Sequence, residues 1–207
     1  MEGLALNDKF WDLKKAKQDK MINGALKIFA RNGFRHASTD EIVAEASISK
    51  GLLFHYFYSK AGLYAFLTEY SARFAMVELN SELRRREDLP FFDFQYALTK
   101  AEALIMRQYP YMLLFMENAG SDIEADTYDL TKEHLSLYRD RLNALLEMSA
   151  SAADMPAEDA KRIDGLLRLV RLDRTASLLK EDSFSPDRYV SEVTDMIRFM
   201  EKLYNRS

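Results

Sequence analysis

Residues 48–60 read Ile-Ser-Lys-Gly-Leu-Leu-Phe-His-Tyr-Phe-Tyr-Ser-Lys, and the fold turns on how this stretch is parsed. Ser49 is placed to cap a short helix running to Tyr56, and Ser59 to cap the next one. Upstream, Ser38-x-x-Glu41 is a capping box, in which each side chain reaches the other's backbone N–H; it opens a helix whose inner residues are Ile42, Val43 and Ala46. That helix breaks at Ser47-Ile48. A first helix over 17–32 carries Met21, Ile22, Ala25, Ile28 and Phe29 at helical spacing, and Asn32-Gly33 supplies the left-handed residue that commonly ends a helix. The polar lead-in before it has Phe10 and Leu13 as its anchors. Three helices follow one another, the second and third joined by a tight turn within about twenty residues, which is the layout of a helix-turn-helix.

Beyond this head the pattern stays helical. Ser59 opens a fourth helix with the stripe Leu63, Phe66, Leu67, Tyr70, Phe74 and Val77, which stops at the charged run 84–88 before Pro90. A fifth helix spans about 91–108, and Pro110 sits early in a short sixth that runs through Asn118. Ser121-x-x-Glu124 is a second capping box. It opens a seventh helix through about Met148, with Ile123, Tyr128, Leu135, Tyr138, Leu142 and Leu145 inward, and a small-residue loop follows over 149–154. Pro156 and Ser185-Pro186 suit the first turns of an eighth and a ninth helix. With only 7 glycines and 4 prolines to interrupt these periods, the expectation is an all-α fold of about nine helices. The expected domains are residues 1–62, the helix-turn-helix with its N-terminal extension, and residues 63–207, a helical body.

Composition narrows the function classes. There is no cysteine, which removes disulfides, thiolate nucleophiles and cysteine-ligated zinc. With three histidines, no H-E-x-x-H and no glycine-rich phosphate loop, metal, triad and nucleotide chemistry lack their parts, so the chain reads as a non-enzyme without a cofactor or a metal. The longest apolar run, Tyr111 to Met116, is far short of the roughly 20 residues of a membrane span. No apolar stretch of signal-peptide type opens the chain, so a cytoplasmic location is expected. Net charge is −4, but it is unevenly spread: through Gly62 there are ten Lys/Arg against seven Asp/Glu, and the remainder is acidic. A basic head on an acidic body is the asymmetry of a protein that meets nucleic acid at one end.

The third helix is suited to a major groove. Gly51 near its start lets the backbone come close to DNA, Ser49, Lys50, His55 and Tyr56 offer polar groups, and Lys60 with the free N–H groups of the fourth helix lies where a phosphate docks. The span from about Met21 to Leu67 resembles the TetR family of bacterial regulators. The resemblance is carried by Ala25-Leu-Lys-Ile-Phe29, Asn32-Gly-Phe34, Thr39-Asp-Glu-Ile42 and, above all, residues 48–57 with Ser59-Lys60. It implies a homodimeric DNA-binding transcriptional regulator, a repressor released from a roughly palindromic operator by a small-molecule effector. It also implies roles by position. Thr39, Tyr56 and Lys60 hold phosphates; Ser49, Lys50, Gly51, Leu52 and His55 lie along the groove; Lys14, Lys15, Lys17 and Lys20 add phosphate contacts; Phe29, Phe34 and Phe57 are core. The sequence departs from the family pattern at Ser47 in place of the turn glycine, Leu52 in place of threonine, Phe54 in place of tyrosine and Gly62 in place of an acidic residue that would strengthen the cap of the fourth helix.

In the body, aromatic and methionine side chains are candidates for an effector pocket: Phe66, Tyr70, Phe74, Tyr109, Met112, Phe115, Met116, Tyr128 and Tyr138, with His134 as a polar group. The same residues at helical spacing also read as plain core. An effector of this pocket would be small and largely apolar. Ile163, Leu167 and Val170 on the eighth helix and Val193, Met196, Ile197 and Met200 on the ninth are the expected dimer interface, two helices from each copy forming a four-helix contact. Arg171, Asp173 and Arg174 interrupt the eighth helix and read as an ion-pair network in preference to ligand contacts. Two alternatives stay open from the residues alone: an activator of the same family, and a helical protein-interaction module without an effector.

Overall fold

The computed structural model describes residues 8–83, 88–121, 125–180 and 184–206. Among them are a short 3-10 turn, Asp8–Phe10, and nine α-helices: α1 Lys15–His36, α2 Thr39–Ala46, α3 Lys50–Phe57, α4 Lys60–Leu83, α5 Phe91–Gln108, α6 Met112–Ser121, α7 Ala125–Ala152, α8 Ala157–Leu178 and α9 Pro186–Tyr204. No strand occurs among the described residues. The expected Ser121-x-x-Glu124 box and Ile123 fall on or beside the gap at 122–124, the charged stop falls on 84–87, and the side chain of Tyr128 also lies outside what is described.

The helix boundaries in the head follow local chemistry. Gly33 adopts φ 66°, so helical geometry lapses there, and a last turn through His36 extends α1 beyond the expected Asn32. Ser38 Oγ accepts from the Glu41 N–H at 3.1 Å while Glu41 Oε2 accepts from the Ser38 N–H at 3.0 Å, completing the capping box of α2. Ser47 ends α2 in the left-handed region at φ 49°. Ser49 Oγ caps α3 through the Leu52 N–H at 3.2 Å, and Ser59 Oγ accepts from the Gly62 N–H at 2.9 Å. Farther on, α7 continues through Ala152, absorbing four of the six residues expected to be a loop. Alanine favours helix, and the buried Ser149 hydroxyl folds back onto the Leu146 carbonyl.

The chain forms two compact units. The first comprises residues 1–73 and 109–137, so it holds α1–α3, the start of α4, α6 and the start of α7. Its core has two ring clusters. In one, Phe29, Tyr64 and Phe115 join α1, α4 and α6, with Phe29–Tyr64 centroids 4.9 Å apart and Tyr64–Phe115 5.2 Å apart. In the other, Phe10 is wholly buried against Tyr56, Phe57 and Phe66. The second unit comprises residues 74–108 and 138–207, in which α5 packs on α9 and α8 on α9 around Phe91, Ile105, Leu167, Tyr189, Val193 and Ile197.

The buried side of α4 keeps Leu63 and Leu67 of the stripe read from the sequence but leaves Phe66, Tyr70 and Phe74 only partly buried. Leu63, Tyr64, Leu67, Thr68, Ser71, Ala75 and Leu79 are buried, whereas Val77 is 63% exposed. Small and hydroxylated residues take the inner positions, and the Thr68 hydroxyl returns its bond to the Tyr64 carbonyl at 2.9 Å.

Two glycines of the head have opposite roles. A Cβ on Gly62 would lie 2.2 Å from the Phe57 carbonyl oxygen, so an acidic residue there would collide with the end of α3; the departure from the family pattern is a steric requirement of this chain. A Cβ on Gly51 would meet nothing within 4 Å. Urea unfolding is expected to show Gly62→Ala destabilised by about 2–3 kcal/mol, while Gly51→Ala remains at least as stable as the parent.

Candidate nucleic-acid interface

The geometry of α3 divides its residues into two faces. Leu53, Tyr56 and Phe57 are buried, Tyr56 and Phe57 against Phe10 and Phe57 also against Phe66, while Ser49, Lys50, Gly51 and His55 form an exposed edge, with Leu52 half-buried beside them. Lys50 Nζ pairs with Asp40 Oδ1 at 2.9 Å; both side chains are largely solvated, so the pair is worth under about 1 kcal/mol and is easily exchanged. Thr39 stands at the first turn of α2, half-buried. The Tyr56 ring is 7% exposed and packs edge-on against Phe10, so its bulk belongs to the core. Lys60 is engaged: Nζ donates to the Phe34 carbonyl at 2.8 Å and the Ala37 carbonyl at 3.0 Å, and lies 4.5 Å from the Phe34 ring centroid. Lys14, Lys15, Lys17 and Lys20 are exposed. The sequence reading missed Tyr58, which leaves α3 at φ 60° with its side chain 58% exposed; its one sequence signal is its place between two helices.

The candidate effector residues have several surroundings. Tyr109, Met112 and Phe115 are wholly buried and Met116 nearly so, in the first unit. Phe66 and Tyr70 join the rings of Phe10 and Trp11, and the Tyr70 and Tyr109 hydroxyls meet at 2.7 Å, with Tyr109 donating to Asp19 at 2.6 Å. Burial and that carboxylate push the Tyr109 hydroxyl well above the ordinary tyrosine range. His134 is partly exposed, its Nε2 3.9 Å from Glu69 Oε2. Phe74 and Tyr138 lie in the second unit. A groove of about 760 Å³ in that unit is lined by other residues, among them Asp93, Tyr96, Lys100 and Arg198.

Of the expected dimer residues, Leu167, Val193 and Ile197 are completely buried within their own chain, whereas Ile163, Val170, Met196 and Met200 keep partial exposure. The large apolar residues exposed on α8 and α9 are Leu166, Leu169, Phe199 and Leu203. The expected charge network exists but splits in two. On the surface, Arg174 pairs with Asp173 and Glu192, and Arg188 with Glu192. Inside, Arg171 faces Glu102 at 3.2 Å and donates to Gln95 Oε1 at 2.6 Å, while the Tyr189 hydroxyl donates to Glu102 at 2.7 Å. Burial raises the Glu102 carboxyl above its usual range, against the pull of Arg171 and the Tyr189 bond.

A short capped helix with one bare polar edge, set on a three-helix head and followed by an all-helical body, defines a helix-turn-helix DNA-binding protein. Residues 21–66 match the family of bacterial regulatory proteins described as tetR. The helix-turn-helix-type transcriptional regulator YerO of Bacillus subtilis is 22% identical, over 82% of this chain and 71% of its own. The fold resembles that of a TetR family regulator from Chloroflexus aurantiacus, at TM-score 0.60 and 18% identity over 97% of each chain. It also resembles that of FadR from Bacillus subtilis, solved with stearoyl-CoA, at TM-score 0.57 and 12% identity over 86% of this chain and 96% of that one. Residues 21–66 thus match the tetR-type DNA-binding region, and the chain as a whole shares its fold with solved TetR-family regulators.

The two charge clusters make a test of burial. Glu102→Ala leaves Arg171 buried without its counter-charge and is expected to cost about 3–5 kcal/mol in thermal or urea unfolding. Glu192→Ala, on the exposed cluster, is expected to cost under about 1 kcal/mol.

Proposed function

We propose that the protein is a homodimeric repressor that holds a roughly palindromic operator through α3 of each copy and is released by a small, largely apolar effector. The head of residues 1–62 reads DNA, and the body of residues 63–207 dimerises and takes the effector. The observation that carries this reading is the bare edge of α3: Ser49, Lys50, Gly51 and His55 are exposed, and the open space over Gly51 is room for a duplex to approach the backbone. Thr39, Tyr56 and the lysines ahead of and within the start of α1 are the proposed phosphate partners. Dimerisation is supported by the exposed Leu166, Leu169, Phe199 and Leu203, since one head reads too few base pairs to specify a site alone. An apolar effector is supported by the acyl ligand of the FadR neighbour and by the aromatic content of this chain.

Release follows from differential affinity. An effector that prefers one arrangement of α4, the helix directly after the reading helix, shifts the population toward that arrangement, and a coupling of about 1–3 kcal/mol lowers operator affinity by roughly five- to 150-fold.

Titration of the purified protein with duplex DNA over a salt series tests the reading. Affinity is expected to fall steeply and linearly on logarithmic axes, each phosphate contact contributing about 0.9 to the slope. Salt-insensitive binding, or none to any duplex, overturns it. Gly51→Val is expected to fold as the parent does while losing about tenfold or more in affinity for a duplex enriched by the parent protein, because the branched side chain fills the approach over α3. Phe199→Glu is expected to convert a dimer to a monomer in light scattering and to weaken DNA binding with it.

A further inference from the structure

We infer that Lys60 is a positioning residue that clasps the two ends of the helix-turn-helix and so sets the pose of α3, and that it is not a phosphate ligand. The inference rests on the DNA-binding reading above and assigns a different role to the lysine that the family resemblance places on a phosphate.

The argument is one of donor capacity. A lysine ammonium has three N–H donors and no acceptor. In Lys60 they face three carbonyls at the C-terminal end of α1: Phe34 at 2.8 Å, Ala37 at 3.0 Å and Arg35 at 3.5 Å. The ring of Phe34 covers the same ammonium at 4.5 Å, a second favourable contact for a cation. Carbonyls at the end of a helix have no N–H of their own helix to accept from, and they carry the negative end of its dipole. A cation serves them well. It serves poorly at the first turn of α4, where Lys60 stands in sequence and no acidic residue offsets it. The position therefore makes electrostatic sense as the partner of α1. To reach a phosphate, the ammonium would have to give up these bonds and leave the carbonyls unmet.

The consequence is topological. The bond from Lys60 to the Ala37 carbonyl closes a stretch of 23 residues that contains all of α2 and α3. Tyr58, at positive φ, is the turn that brings the chain back from α3 to this clasp. With both ends tied to α1, the reading helix has one pose; untied at Lys60, α3 turns about Tyr58 while its caps remain intact.

Lys60→Met in the full-length protein keeps the aliphatic stem and removes the charge and donors. It is titrated, across a salt series, with a duplex enriched from a random library by the parent protein and with a scrambled duplex. The expected result is a loss of about tenfold in preference for the enriched duplex, with the salt slope of the parent, because misposed contacts to bases are lost and no phosphate contact is. A slope lowered by about one, or a preference kept within about twofold, overturns the proposal. A parent protein that binds no duplex would instead sink the DNA-binding reading. Selective ¹⁵N-lysine NMR of the parent gives a readout that no folding defect can obscure. The Lys60 ammonium is expected to exchange slowly before DNA is added and to keep its shift afterwards; an ammonium signal that appears only with DNA overturns the proposal.

Discussion

An eight-residue helix does not hold its shape in water, since isolated helices below about 12–15 residues are marginal. The reading helix α3, Lys50–Phe57, therefore exists because Leu53, Tyr56 and Phe57 are packed away on one side. The partners that pack them come from both directions along the chain. Phe10 precedes the helix-turn-helix and lies against Tyr56 and Phe57; Phe66 belongs to α4 and lies 5.1 Å from Phe57. Burying a ring of this size contributes roughly 1.5–3 kcal/mol, more than a surface ion pair supplies. The polar edge of α3 faces solvent because the opposite edge is occupied by these rings. Function at the surface is set by packing beneath it.

The same economy explains why the aromatic wealth of the chain is divided between roles. Phe29, Tyr64, Phe115, Met112 and Tyr109 fill the first unit with no exposure to spare, and their spacing along α1, α4 and α6 is the spacing of core. Hydroxyls among them are not idle. Tyr70, Tyr109, Asp19 and Lys15 share one set of hydrogen bonds, so the polar atoms that come in with tyrosine are met inside the unit. In the second unit the equivalent task falls to charge. Arg171 and Glu102 are buried together with Gln95 and Tyr189. Such a pair stabilises little relative to apolar packing, but it penalises any arrangement that separates its members.

Lys60 and Gly62 show how tightly the junction after α3 is drawn. One ties α4 back to the end of α1, and the other lets the Phe57 carbonyl approach within a distance that any Cβ would forbid. Both act on the same turn, and Tyr58 takes up its backbone conformation there. A family resemblance assigns roles by position; these two positions acquire theirs from what the fold puts beside them.

By itself the sequence determined whatever is settled within a turn of helix. Ser38 with Glu41, Ser49 with Leu52, Ser59 with Gly62 and the positive φ of Gly33 are contacts or conformations spanning three residues or fewer, so residue type and spacing suffice to read them. The all-α class and the helix-turn-helix follow, as does the likeness of residues 21–66 to the tetR family. The tertiary structure alone decided which face of α4 is inward, since Thr68, Ser71 and Ala75 are buried by the close approach of neighbours and not by their own hydrophobicity. It alone showed that Leu167, Val193 and Ile197 spend their apolar surface inside the chain, leaving Leu166, Leu169, Phe199 and Leu203 outside. It alone brought Lys60 to carbonyls 23–26 residues away and Arg171 to a glutamine 76 residues away. Periodicity specifies that a helix has an apolar side, but the partner of each side chain is chosen by how segments distant in sequence come to rest against one another.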